Sequence, residues 1–122
     1  MMYARGTLYS REHDVYEATQ EEFWDFTWEE IGTKDAAAAI DYVHNLTGKK
    51  VNMTGYSMGT TNIFSALAMR YEYFEERTDK VALFAPCTVT DGSMYPWYMF
   101  NPASIKILEE KNIFEIGGPT WP

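Results

Sequence analysis

The stretch that decides the fold is Lys49–Ala85, which reads KKVNMTGYSMGTTNIFSALAMRYEYFEERTDKVALFA. Its first six residues, KKVNMT, predict a short strand. A helical period begins at Thr60, with a predicted buried face of Ile63, Phe64, Leu67, Ala68 and Tyr71. The run Lys80–Ala85 is apolar on both faces, as in a central parallel strand. The order strand, turn, helix, strand predicts a βαβ unit of an α/β fold, with a right-handed crossover.

The turn between the predicted strand and helix carries the pattern Gly-x-Ser-x-Gly, at Gly55, Tyr56, Ser57, Met58 and Gly59. In this context the pattern is a nucleophile elbow, which exposes the serine hydroxyl above the sheet. We expect both glycines to allow close backbone approach, because neither has a Cβ. The backbone N–H of Met58 is the predicted oxyanion donor, at the positive end of the helix.

Further predictions come from the residues on either side. Thr27–Glu30 has the form of a capping box. The helix that it starts has an apolar stripe at Ala36, Ile40, Val43 and Thr47, and Gly48 is its predicted end. We predict a loop for residues 1–22 and a short helix for Ser104–Lys111.

Composition excludes several classes of protein. The 122 residues include 10 basic and 18 acidic side chains, a net charge of −8, so a nucleic-acid partner is not expected. A single cysteine forms no internal disulfide. We expect neither a transmembrane segment nor a signal peptide within this chain, because no window has the required apolar length.

Five blocks resemble the acid lipase family, which includes gastric and lysosomal acid lipases, and the resemblance runs from about Arg5 to Thr90. The blocks are FWDFTWEE at 23–30, AIDYV at 39–43, TGKK at 47–50, GYSMGTT at 55–61 and ALFAP at 82–86. Tyr56 and Met58 depart from the family, which has His and Gln beside the serine.

The resemblance implies a partial α/β-hydrolase fold: a core segment over residues 1–90 and the start of a cap or lid over residues 91–122. It implies a serine ester hydrolase, a lipase that cleaves neutral lipid esters such as triacylglycerols or cholesteryl esters through an acyl-enzyme on Ser57. It implies no metal or other cofactor, and a secreted or lysosomal protein.

The base and the acid of such a site are not evident in this chain. In this fold the order is serine, then acid, then histidine, whereas His13 and His44 both precede Ser57. We interpret His44 as a half-buried helical residue paired with Asp41, and His13 as a solvated loop residue. Asp91 is a candidate acid, although Asp-Gly is first a turn signal. We therefore expect an internal fragment of a longer lipase, inactive alone.

Two alternatives stay open. One is a non-catalytic binding or assembly subunit on a shortened hydrolase fold, which the position of the histidines favours. The other is a lipid-binding aromatic surface, for which we prefer the interpretation of a cap segment packed on the rest of the protein. The residues of that surface are Tyr95, Trp97, Tyr98, Met99 and Phe100.

Overall fold

A computed structural model describes residues 1–89 and 101–114. It divides into two compact units. The first comprises Met1–Arg5 with Phe26–Val89, and the second comprises Gly6–Asp25 with the described residues 101–114. The predicted boundary between a core over 1–90 and a cap over 91–122 stays a prediction.

The first unit holds a mixed set of helices and strands, as expected for an α/β protein. The capping box, the helix that ends at Gly48 and the strand–helix–strand order are all confirmed. The elements are α1 (Trp28–Glu30), a π-helical turn (Ile31–Asp35), α2 (Ala36–Thr47), β1 (Val51–Tyr56), α3 (Met58–Met69), α4 (Tyr71–Arg77) and β2 (Thr78–Phe84).

The two strands of the first unit pair in parallel, with Gly55 opposite Leu83 and Tyr56 opposite Phe84. β1 begins and ends two residues later than predicted. β2 begins two residues earlier and ends one residue earlier than predicted. The expectation that the second strand is buried on both faces is wrong within the described residues. Side chains of Val81 and Phe84 are 39% and 57% exposed, and none of the seven residues of β2 is fully buried.

The buried face of α3 also differs from the predicted stripe. Ile63 is buried as expected, but Phe64 and Ala68 are exposed, as is Tyr71, which begins α4 rather than continuing α3. The side chains that pack inward are instead small or polar: Thr60, Asn62, Ser65 and Ala66. The cause is Gly32 in the π-helical turn. A Cβ there would overlap the carbonyl oxygen of Asn62 and lie 3.2 Å from the nitrogen of Ala66, so the backbones touch directly.

The capping box at the start of α1 forms in both directions. Thr27 Oγ1 accepts from the N–H of Glu29 at 3.2 Å, while Glu30 accepts from the N–H and the hydroxyl of Thr27 at 3.0 and 2.8 Å. These bonds lower the pKa of Glu30 from 4.5 to about 2, and the bond from the Thr27 hydroxyl contributes most. The carboxylate is therefore part of the helix start at neutral pH.

The second unit contains a 3-10 helix (Glu21–Trp24) and α5 (Pro102–Glu110). The helix predicted at Ser104–Lys111 is confirmed, beginning two residues earlier. Asn101 determines that start, because its Oδ1 accepts from the N–H groups of Ala103 and Ser104 and Pro102 occupies the first helical position.

We predict that Gly32→Ala lowers the free energy of unfolding by about 1–3 kcal/mol, because the added methyl group must push apart two backbones that are in contact. Urea denaturation measures the change. Lys34→Ala is the control, since Lys34 lies in the same turn with an exposed side chain. Equal stability of the two variants would contradict the close contact.

We predict that Thr27→Ala returns the pKa of Glu30 from about 2 towards 4.5, as followed by NMR titration of the Glu30 carboxyl. The folded pKa is below the unfolded one, so the cap stabilises the fold above about pH 4.5 and the effect is lost as the pH falls towards 2. Thr47→Ala, on α2, should leave this titration unchanged. If the pKa of Glu30 stayed at about 2 in Thr27→Ala, the cap would not be the cause of the lowered pKa.

Candidate active site

Ser57 alone makes the turn between β1 and α3. The strand continues to Tyr56 and the helix begins at Met58, so the predicted five-residue turn is shorter than expected. Ser57 has φ 49° and ψ −119°, a conformation that non-glycine residues rarely adopt. Such strain costs about 1–3 kcal/mol and persists only where the surroundings impose it. The residue is exposed, as the elbow interpretation requires.

Backbone hydrogen bonds on both sides of Ser57 hold this conformation. Its N–H donates to the carbonyl of Phe84, at the end of β2, over 3.0 Å. Its carbonyl accepts from the N–H of Thr60 at 2.8 Å and from the Thr60 hydroxyl at 2.6 Å. The strand on one side and the helix on the other therefore both restrain the turn.

The two glycines of the motif are not equivalent. A Cβ at Gly55 would lie 2.8 Å from the carbonyl oxygen of Gly59 and 2.8 Å from Cδ1 of Ile63, so the expected close approach is confirmed there. At Gly59 the same expectation is wrong, because no described atom lies within 4 Å of the added Cβ. It is the backbone of Gly59, rather than its missing side chain, that approaches β1.

The flanking residues of the motif point outward, with Tyr56 73% and Met58 59% exposed. Met58 is the first residue of the 12-residue helix α3, so its N–H has no carbonyl partner within the helix. This is the position that an oxyanion donor next to Ser57 would occupy. The role itself stays a prediction.

His44 lies too far from Ser57 to be its base. Its Nδ1 is 2.8 Å from the carbonyl oxygen of Lys49, just before β1 begins. Ser57 follows the other end of that six-residue strand, which spans about 20 Å. The expected pairing with Asp41 is also replaced, because Asp41 forms a 3.2 Å ion pair with Arg77.

The remaining candidates from the sequence are His13 and Asp91. His13 is exposed, as predicted, and its Nδ1 accepts from the N–H groups of Val15 and Tyr16 in the second unit. Asp91 and the five aromatic or apolar residues of the proposed lipid-binding surface lie outside the described residues.

Among residues 1–89 and 101–114, no three His, Cys, Asp or Glu side chains are grouped so that they could hold a metal ion. No helix in this part of the chain combines the length and apolar character needed to cross a membrane.

Known proteins similar to this chain are lipases. The chain is 41% identical over 95 residues to "Lipase 1" of Drosophila melanogaster and 39% identical over 116 residues to "Triacylglycerol lipase 2" of Arabidopsis thaliana. It is also 41% identical over 66 residues to "Lipase member M" of Mus musculus. This chain is homologous to part of these lipases.

The homology covers most of this chain but only a small part of each lipase. The first two matches cover 77% and 82% of this chain but only 22% and 28% of the relatives. The resemblance to lipases seen in the sequence motifs is thereby confirmed. No protein-family model matches the chain, and no solved structure matches it.

Sequence reasoning missed two residues of this lipase-like segment, Thr60 and Thr61. Thr60 is fully buried, and its hydroxyl lies between the carbonyl of Ser57 and the N–H of Cys87. Thr61 donates to the carbonyl of Cys87 at 2.5 Å. The signal available in the sequence was a pair of hydroxyl residues directly after the elbow.

We predict that Gly55→Ala and Gly59→Ala have opposite effects on stability. Gly55→Ala should lower the free energy of unfolding by about 1–3 kcal/mol, because its methyl group meets backbone. Gly59→Ala should be neutral or stabilising by up to about 1 kcal/mol, because alanine favours a helix and the space is open. Chemical denaturation of both variants decides, and a destabilised Gly59→Ala would contradict the observed geometry.

Proposed function

We propose that the protein containing this chain is a serine ester hydrolase, a lipase of the α/β-hydrolase fold, with Ser57 as its nucleophile. The observation that carries the proposal is the backbone of Ser57, with φ 49° and ψ −119° between a parallel strand and a helix. An exposed serine in this rare conformation is the geometry of a nucleophile elbow.

The reaction follows from this placement. Ser57 Oγ attacks the ester carbonyl carbon while its proton passes to a base. The oxyanion receives a hydrogen bond from the N–H of Met58, aided by the N-terminus of α3. Collapse breaks the bond to the alcohol, which leaves with the proton from the base. Water then hydrolyses the acyl-enzyme, returning the carboxylic acid and free Ser57.

The proposed substrate is a neutral lipid ester, either a triacylglycerol or a cholesteryl ester. Support comes from the relatives, of which one is named a triacylglycerol lipase and the others lipases. The exposed side chains of Tyr56 and Met58 on either side of Ser57 offer apolar surface for an acyl chain.

The proposal requires a base, which in this fold follows the serine along the chain. His44 is at the opposite end of β1, and no histidine follows Ser57 in the chain. We therefore propose that the base belongs to a part of the protein outside this segment. We accordingly propose that residues 1–122 alone are inactive. Asp91 stays a candidate for the acid, although Asp-Gly is first a turn signal.

A fluorophosphonate probe tests the nucleophile directly, because it reacts with activated serines. We predict that the probe forms a covalent adduct with the native-length protein, the form that is expressed in its own cells. The Ser57→Ala variant should form no adduct. Trypsin cleavage after Lys50 and Arg70 releases residues 51–70, a peptide with two serines. Ser65 is the internal control, because it is only 6% exposed. Fragmentation should locate the adduct on Ser57.

Hydrolysis assays then decide the substrate. Emulsified triacylglycerol and cholesteryl ester are compared, with wild type and Ser57→Ala in parallel. The isolated residues 1–122 should neither be labelled nor hydrolyse either lipid. A folded native-length protein that resists the probe, while a known serine hydrolase in the same sample is labelled, would refute the enzyme proposal.

That last outcome would favour the second candidate, a non-catalytic binding or assembly subunit built on a hydrolase fold. The observation on its side is the position of His44, which the structure separates from Ser57 by the length of β1. The maintained strain at Ser57 counts against it, because a binding surface does not need a serine at positive φ.

A further inference from the structure

The last residue of β2 and the residues after it are attached to the elbow and the start of α3 at three points. We define residues 84–87 (Phe84, Ala85, Pro86 and Cys87) as the post-strand segment. The carbonyl of Phe84 accepts from the N–H of Ser57. Further along, the N–H of Cys87 donates to Thr60 Oγ1 at 2.9 Å, and the carbonyl of Cys87 accepts from Thr61 Oγ1.

The hydroxyl of Thr60 is the point where these contacts meet. It donates to the carbonyl of Ser57 at 2.6 Å and accepts from the N–H of Cys87. A hydroxyl has one proton, and the incoming N–H occupies a lone pair, so the two bonds orient each other. The side chain is fully buried, which excludes water as a substitute partner.

These bonds act on both torsion angles of Ser57. Rotation about φ would move its N–H away from Phe84, and rotation about ψ would move its carbonyl away from the two donors of Thr60. The post-strand segment is itself strained, since Ala85 has φ 48°. One buried side chain thus bonds to Ser57 directly and to Cys87, two residues after the strained Ala85.

We propose that Thr60 is a positioning residue for Ser57: its hydroxyl fixes the carbonyl of the nucleophile and ties the post-strand segment to the elbow. Thr61 reinforces the tie at Cys87. We call the three hydrogen bonds of Thr60 and Thr61 to Ser57 and Cys87 the clamp. The effect on catalysis rests on the proposed function, whereas the clamp does not. Neither threonine touches the reacting atoms, so both act through the backbone of Ser57.

The test compares Thr60→Val, which keeps the shape and removes the hydroxyl, with Thr60→Ser, which keeps the hydroxyl. We expect Thr60→Val to lower the maximal rate of fluorophosphonate labelling roughly 10- to 100-fold, the scale of a small misplacement of a reacting group. The probe concentration for half-maximal rate and the pH profile should not change. Thr60→Ser should recover most of the rate.

Thr33→Val is the matched control. Thr33 also donates its hydroxyl to a backbone carbonyl within a helical turn, that of Glu29 at 2.8 Å, but it has no contact with the elbow. It should label like wild type. Wild-type labelling of a folded Thr60→Val, or equal impairment of Thr60→Ser, would overturn the inference. Should Thr60→Val fail to fold, Thr60→Ala carries the same comparison.

Amide hydrogen exchange separates this inference from the proposed function. The N–H groups of Ser57 and Cys87 should exchange faster in Thr60→Val than in wild type, while Thr33→Val leaves them unchanged. If the wild-type protein is not labelled at all, the enzyme proposal fails and exchange alone decides the clamp. Unchanged exchange at both amides would then overturn it.

Discussion

The conformation of Ser57 is the constraint on which the rest of the first unit depends. A serine at φ 49° is unfavourable by itself, so every element around it contributes a restraint. β2 supplies the acceptor for its N–H, and α3 supplies two donors for its carbonyl. The parallel pairing of β1 with β2 is what brings Phe84 to that position. The turn and the sheet therefore stabilise each other.

Close backbone packing places α3 where the elbow needs it. The helix touches β1 at Gly55 and the π-helical turn at Gly32, in both cases without an intervening side chain. As a result, its inward face combines Ile63 with small residues such as Ser65 and Ala66. Larger side chains such as Phe64 and Met69 are exposed. The position of the helix N-terminus under Ser57 follows from these two contacts rather than from a large apolar stripe.

Under the proposed function, the described residues supply one half of a hydrolytic site, with Ser57 as its nucleophile. The nucleophile and an adjacent backbone N–H lie together at the carboxyl end of β1, while His44 bonds to the backbone at its amino end. The homologous lipases are several times longer than the matched segment. A serine hydroxyl is a weak nucleophile without a base. The segment therefore supplies geometry, and proton transfer needs a further group.

Local pattern was enough to predict the elements. Short-range sterics and hydrogen bonds determine the capping box at Thr27, the end of α2 at Gly48 and the strand–turn–helix order around Ser57. Each could therefore be predicted from the neighbouring residues. The close approach at Gly55 was predicted for the same reason. The lipase resemblance also came from local blocks, so it could be seen before any contact was known.

Only the tertiary structure decided which surfaces are buried and which side chains meet. Apolar spacing on α3 indicated Phe64 as core, but Gly32 lies 30 residues before Asn62, and the contact between the two turns a different face inward. Likewise, nothing in the sequence around Thr60 shows that Cys87 lies against it. Periodicity reports that a helix has an apolar side, whereas burial depends on partners that are distant along the chain. For that reason the sequence by itself determined the strand–turn–helix order and pointed to Ser57, and the tertiary structure decided what holds that turn in place.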